Sequence, residues 1–221
     1  MSFELHHAHP WDVSPEEAVA LQRRLAAQVR AVPLETSPKT IAGLDVSVRG
    51  DRVQAAVVVL SLPELTVVDT AVWGGPVTFP YIPGLLSFRE IPAVLPALER
   101  LRVCPDVFMT DGQGVAHPRR LGLAAHLGVL LERPVFGVAK TRLWGTHTAP
   151  GHERGATVPL LDDDEVIGAV VRTRAGVKPV YVSIGHRITL EEAVRLTLAC
   201  APRYKIPEPT RRAHHLSRAG F

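Results

Sequence analysis

The pattern of apolar and polar positions is organised around residues 41–60. There an apolar run carries a single acid, Asp45, breaks at the polar turn Arg49-Gly50-Asp51 and resumes as a second apolar run. That pattern predicts a strand, a tight turn and a second strand. Residues 65–73 give a third β-type run after the turn-like 61–64, and three strands with short connections predict an antiparallel meander. Upstream, Ser14-Pro15-Glu16-Glu17 supplies an N-cap, a proline at N1 and a glutamate at N3, so a helix is expected from there to about Ala31, ended by Pro33.

Downstream, residues 105–110 form a short apolar strand that ends in Asp111 and the glycine-rich turn Gly112-Gln113-Gly114. Residues 121–131 carry apolar side chains at helical spacing, and 135–139 read as a buried strand that delivers Lys140 at its end. Residues 141–164, rich in Gly, Thr, His and Pro, read as loop or irregular hairpin. Residues 166–172 and 179–183 read as a β-hairpin, and Thr189-Leu190-Glu191-Glu192 as a capping box that opens a helix to about Cys200. From Lys205 the chain is proline-rich and then basic, which reads as a solvated face or, beside a metal site, as a hold on a phosphate backbone.

Several positions carry candidate chemistry. A carboxylate among Ile, Ala, Leu and Val is costly to bury unless a cation, a proton or a hydrogen bond compensates it, so Asp45 either needs a partner or sits at a strand edge facing water. Pro80-Tyr81-Ile82-Pro83 is a stiff loop that would present an aromatic ring for stacking on a base, or else Tyr81 caps the core. Ser87-Phe88-Arg89-Glu90 matches a capping box, whereas Pro92 favours a helix start near Ile91 that leaves Glu90 free at its mouth. Asp111 stands where α/β folds place chemistry, at a strand end followed by glycine. Lys140 either faces the same cleft or is an ordinary surface residue.

Composition narrows the setting. The 221 residues fit one domain, residues 1–221, and 46% hydrophobic with 21% charged residues is ordinary for a globular core and excludes a disordered chain. Lys and Arg number 25 against 22 Asp and Glu, a mild excess that permits a nucleic-acid partner without requiring one. Cys104 and Cys200 lie far apart with no CxxC, the first residues lack an apolar signal core, and no apolar stretch approaches a membrane span. A cytoplasmic protein with no membrane partner is expected.

Taken together, GLDVS around Asp45, PYIPGLLSFREIP at 80–92, DGQGVAHPRRLGLAAHLG at 111–128, GVAK ending at Lys140, SIGHRITLEEA at 183–193 and PEPTRRAHH at 207–215 resemble endonuclease V. The resemblance covers nearly the whole chain. It implies an α/β, ribonuclease-H-like fold, a mixed β-sheet flanked by helices. It also implies a Mg²⁺ cofactor, with Mn²⁺ able to substitute, bound by Asp45, Glu90 and Asp111. His214 would be a fourth metal-proximal residue, at a position where the family places His or Asp, and Lys140 would be the positive charge beside the scissile phosphate. Pro80, Tyr81, Ile82 and Pro83 would be a wedge entering the duplex where a deaminated base leaves the stack. Gly84, Leu85, Arg89, Gly112, Gly114, His117, Gly122 and Gly137 would form the lesion pocket and backbone contacts. The implied substrate is DNA containing deoxyinosine or other deaminated bases, cut at the second phosphodiester 3′ to the lesion by a monomer. Inosine-containing RNA, a branched substrate and a non-catalytic binding module are the rivals. The intact acids speak against the last, and the Pro-flanked loop against the branched substrate.

Overall fold

The computed structural model describes residues 3–220. Its central hairpin is β1 (Thr40–Arg49) and β2 (Arg52–Ser61), joined through Gly50, which adopts a φ of 62° that glycine tolerates without steric cost. β3 (Val67–Pro76) pairs antiparallel with β2 and completes the expected meander. β4 (Val107–Thr110) then pairs parallel with β1, and β5 (Val135–Ala139) parallel with β4. The sheet is extended by β6 (Thr157–Asp162), β7 (Glu165–Val171) and β8 (Val180–His186), all antiparallel, in the order β3-β2-β1-β4-β5-β8-β7-β6. This is the mixed sheet expected of the fold class.

Side chains alternate across the sheet, and helices cover both faces. Ala42 and Leu44 pack with Ile91 and Leu98 of α2 (Leu86–Glu99) and with Leu127 of α3 (Leu123–Leu131). Ile41, Met109 and Phe136 pack on the other face with Leu196 of α4 (Leu190–Ala199) and Ala213 of α5 (Glu208–Arg218). Odd-numbered positions of β1 therefore face α5. Gly43 lets that helix dock, since a Cβ there would lie 2.0 Å from the Pro209 carbonyl carbon. No helix among the described residues is long and apolar enough to cross a membrane.

Several expectations need correction. α1 (Pro15–Ala26) begins with the expected Ser14 capping box but ends five residues early, because the Arg30 N–H is drawn to His186 Nδ1 and the Arg30 carbonyl accepts from the Arg187 N–H. The 141–164 segment contains β6, which turns into β7 at Asp163, held at a φ of 49°. α2 starts at Leu86, ahead of both starts weighed from the sequence. The Ser87 hydroxyl is engaged with His126 Nδ1 instead of capping the helix, and Pro92 and Pro96 lie inside it. The basic stretch at the end is no solvated tail: it forms α5, seated on β1 and β2. The Thr189 capping box opens α4 as expected.

Because α5 seats on Gly43, Gly43→Ala should push the helix off the sheet and lower unfolding stability by about 1–3 kcal/mol, the usual cost of overpacking. Urea unfolding checks this. An unchanged midpoint would mean that α5 docks without needing that close approach.

Candidate active site

The parallel register pairs Leu44 with Thr110, so the next residues, Asp45 and Asp111, emerge side by side at the ends of β1 and β4. The Asp111 N–H donates to the Leu44 carbonyl at 3.3 Å, fixing the two strand ends together. β5 contributes Lys140, whose Nζ donates to Asp111 Oδ2. α5 brings His214 Nδ1 to 3.3 Å from Asp45 Oδ2, and Ser217, three residues on, donates its hydroxyl to the same oxygen at 2.5 Å. A serine has one hydroxyl proton to give, so the Ser47 hydroxyl, 2.7 Å away, donates to Ser217 in turn. Asp45 is thus 9% exposed but partnered, which answers the question raised by its apolar strand.

Asp45, Asp111 and His214 each offer a ligand atom within 4.8 Å of the others. Glu90 of α2 stands outside that set but feels it. Its carboxyl is pushed up to about 8, chiefly by burial and then by the negative charges of Asp45 and Asp111, against a smaller opposing pull from Arg89. Burial likewise raises the Asp111 carboxyl, with Lys140 opposing. Three acids crowd one lysine and one imidazole. Such a donor set, rich in hard oxygen with one nitrogen, fits a divalent cation, which would relieve the repulsion the acids impose on each other. The residues placed to hold it are Asp45, Asp111 and His214, with Glu90 adjacent.

Beside the cluster lies a cavity of about 310 Å³, walled at one end by Asp111 and Lys140 themselves. Of the residues expected to form the lesion pocket and backbone contacts, Gly84, Gly112, His117 and Gly122 line it, as do Tyr81, Ile82 and Pro83 of the expected wedge loop. Leu85, Arg89, Gly114 and Gly137 do not. Pro80 is exposed on the loop, and Leu85 packs into the core with Phe79 and Phe88. The Arg89 guanidinium lies 6.0 Å from the Tyr81 ring centroid. Gly114 and Gly137 serve close packing: a Cβ at Gly114 would stand 1.8 Å from the Ile184 carbonyl oxygen, and one at Gly137 2.2 Å from that of Gly112. Ile82 packs against the Phe79 and Phe88 cluster and anchors the loop, leaving Tyr81 69% exposed rather than capping the core.

The cavity wall is held by one carbonyl. Gly84, at a φ of 80°, accepts from Gln22 Nε2 at 2.9 Å, His117 Nε2 at 3.0 Å and Arg119 Nη2 at 2.9 Å. His117 Nδ1 accepts from the Arg119 N–H, so its proton resides on Nε2. Gln22 Oε1 in turn accepts from Arg119 Nε at 2.5 Å. Sequence reasoning missed Gln22, Gln113 and Ser217. Gln22 shares the buried stripe of α1 with Ala18 and Leu25, and a polar residue in such a stripe is the signal that could have found it. Gln113 donates to the Thr141 carbonyl at 3.0 Å and ties the loop after β4 to the end of β5. Ser217 sits at i+3 from His214, on the same helix face.

A mixed sheet whose parallel strands end in adjacent carboxylates, with a lysine and an imidazole beside them, agrees with the ribonuclease-H-like class that the resemblance implies, and its donor set could hold a metal ion. The family model for endonuclease V matches residues 23–215. Endonuclease V of Roseiflexus castenholzii is 51% identical over 212 residues, 96% of each chain. The crystal structure of endonuclease V from Streptomyces avermitilis superposes with a TM-score of 0.91 at 45% identity, covering 100% of this chain and 97% of that one. Endonuclease V of Ciona intestinalis, solved in complex with a 23mer DNA containing an inosine followed by a ribo-adenosine, gives a TM-score of 0.82 at 28% identity over 94% of this chain and 98% of its own. The chain belongs to the endonuclease V family and is thereby a DNA phosphodiester hydrolase.

His117 gives the cavity a pH signature. Burial, ahead of the opposing Gly84 bond, pushes its imidazole from 6.5 down to about 4. Between those values the unfolded chain binds the proton and the folded protein does not, so the stability His117 contributes is present above 6.5 and is lost as pH falls through about 4. His117→Gln, which keeps a donor but does not titrate, should therefore show a shallower fall in melting temperature over that range than the wild type. Identical slopes would show that His117 does not stay neutral in the fold.

Proposed function

We propose that this chain is a DNA repair endonuclease that recognises deaminated bases, chiefly deoxyinosine, and hydrolyses the second phosphodiester bond 3′ to the lesion, leaving a 3′-hydroxyl and a 5′-phosphate. The observation that carries this is the double role of the loop after β4: Asp111 belongs to the acid cluster and, with Gly112, also walls the base-sized cavity. Base recognition and bond cleavage are then separated by the length of one loop residue, so the base held and the phosphate cut need not belong to one nucleotide. The DNA complex of the Ciona relative supports inosine as the ligand.

On this reading the Pro80–Pro83 loop enters the duplex, with Ile82 as its anchor and Tyr81 stacking in the gap. Gly84, Gly112, His117 and Gly122 receive the displaced base, and glycine backbones there approach its edge without a Cβ in the way. Lys140 holds positive charge beside the phosphate, and Ser217 with His214 fixes the Asp45 carboxylate. A Mg²⁺ ion, or Mn²⁺ in its place, would be held by Asp45, Asp111 and His214 with Glu90 adjacent, and would supply charge neutralisation at the reacting phosphate. The enzyme acts as a monomer in the cytoplasm.

A 5′-labelled duplex with one inosine, digested with Mg²⁺ and sized against a ladder, should give one product ending at the second phosphodiester 3′ to the lesion. A matched adenosine duplex should stay intact, and a parallel inosine RNA decides between the two nucleic acids. Free hypoxanthine, an abasic product or a nick 5′ to the lesion would contradict the assignment. In the same assay Asp45→Asn and Asp111→Asn should each lose more than about 100-fold in rate, since even partners outside the ligand shell cost 10–100-fold. Wild-type rate in either variant would remove that acid from the site.

A further inference from the structure

Beyond the residues already placed, the loop after β5 carries an unusual exposed run. Lys140, Thr141, Arg142, Leu143 and Trp144 are all exposed, two cations followed by two adjacent large apolar side chains. Leu143 lines the cavity and Lys140 reaches Asp111, so this segment leads from the acid cluster along the cavity to Trp144 at its end. Trp144 is 41% exposed, yet it is not loose. The Asp162 carboxylate is held below the usual carboxylate range first by the Arg120 guanidinium at 2.6 Å and then by the neighbouring Trp144 indole. Arg120 also donates to Glu165 and, through Nη1, to the His117 carbonyl at 3.0 Å, which joins the tryptophan's anchor to the cavity wall.

The backbone beyond the ring is fixed as well. Thr146 forms a two-way bridge with Leu161 of β6, at 2.7 and 2.8 Å. Gly145 makes the turn into that bridge with a φ of 84°, where a Cβ would lie 2.7 Å from the Leu161 carbonyl oxygen. A tryptophan whose adjoining backbone is fixed and whose apolar surface is left in water is costly to keep exposed, and its backbone has little conformational entropy left to lose on contact. Flanking cations and a rigid aromatic are the two components of a surface that binds single-stranded nucleic acid, one for the backbone and one for a base.

We propose that Trp144 is a second stacking surface, distinct from Tyr81, that takes an unstacked base of the nucleic-acid strand next to the displaced nucleotide. The inference rests on the function proposed above. It deepens that function by adding a contact that holds the strand beyond the cavity, on the side where Lys140 and Arg142 offer charge to its phosphates. Trp144 does not touch the acids, so it contributes to binding and leaves the bond-breaking step alone.

The test is single-turnover cleavage of an inosine duplex by wild type, Trp144→Ala and Trp144→Phe over a range of enzyme concentrations. Trp144→Ala should raise the half-saturating concentration by about tenfold, the weight of one stacked base, with the maximal rate and melting temperature unchanged. Trp144→Phe, which keeps a smaller ring, should fall between the two. If the Trp144→Ala value stays within about twofold of wild type, as for an ordinary surface substitution, the proposal is overturned. It is equally overturned if the melting temperature falls by several degrees, because the ring would then be a packing element. If wild type itself cuts inosine and adenosine duplexes alike, the proposed function fails, and this outcome is read from wild type alone.

Discussion

The constraint on which the rest of the structure depends is the repulsion among carboxylates that the sheet forces together. Parallel pairing of β1 with β4 leaves Asp45 and Asp111 no choice but to emerge as neighbours, and α2 adds Glu90, whose carboxyl is pushed up to about 8 chiefly by burial and further by those two charges. Such an arrangement is unfavourable to folding and persists because other parts of the chain stabilise it. Ser47, Ser217 and His214 hold Asp45, and Lys140 holds Asp111. His214 and Ser217 reach Asp45 because Gly43 lets α5 lie against the strand. A divalent cation would convert the crowding from a cost into a binding site, and a stability cost concentrated at a functional site is the usual compromise of an enzyme.

The cavity depends on the same geometry from its other side. Asp111 and Lys140 form one end of it, so the position of the acids also sets where a bound base ends and a phosphate begins. Another part of its wall hangs on the Gly84 carbonyl, which gathers donors from α1, from the loop that carries His117 and from Arg119. A network that shares one acceptor among three donors resists displacement of any single member, which suits a pocket that must keep its shape while the neighbouring Pro80–Pro83 loop meets a substrate. The exposed loop from Lys140 to Trp144 extends this surface outward, and Arg120 links it back to the His117 segment.

Much of this was legible in the chain wherever local chemistry decides the structure. The 41–60 pattern placed Asp45 within a strand because the two apolar runs and the Gly50 turn leave few alternatives, while its burial stayed open until its partners were seen, and the Ser14 and Thr189 capping boxes marked two helix starts correctly. Failures came where a tertiary partner overrode a local signal. Ser87 looked like a cap, but its hydroxyl serves the buried His126. The stretch from Glu208 to Arg218 looked solvated because its composition is polar, whereas Ala213 and Ser217 on one face bury it against β1. β6 was hidden by a half-exposed edge strand in a segment rich in glycine and proline. Gln22 gave no motif at all: its role depends on Gly84 and Arg119, remote in sequence.

The account stands or falls on whether a divalent cation relieves the crowding of Asp45, Glu90 and Asp111. The direct measurement is the melting temperature of the metal-free protein and of the protein in excess Mg²⁺ at one fixed pH near 8, for wild type and for Asp111→Asn. Ligand binding to the folded state alone stabilises it, by about 2.7 kcal/mol at a hundredfold excess over Kd. Wild type should therefore melt several degrees higher with Mg²⁺, and Asp111→Asn, already relieved of one charge, should melt higher than wild type without metal and gain little from it. A wild-type melting temperature indifferent to Mg²⁺, together with no stabilisation by Asp111→Asn, would contradict the account.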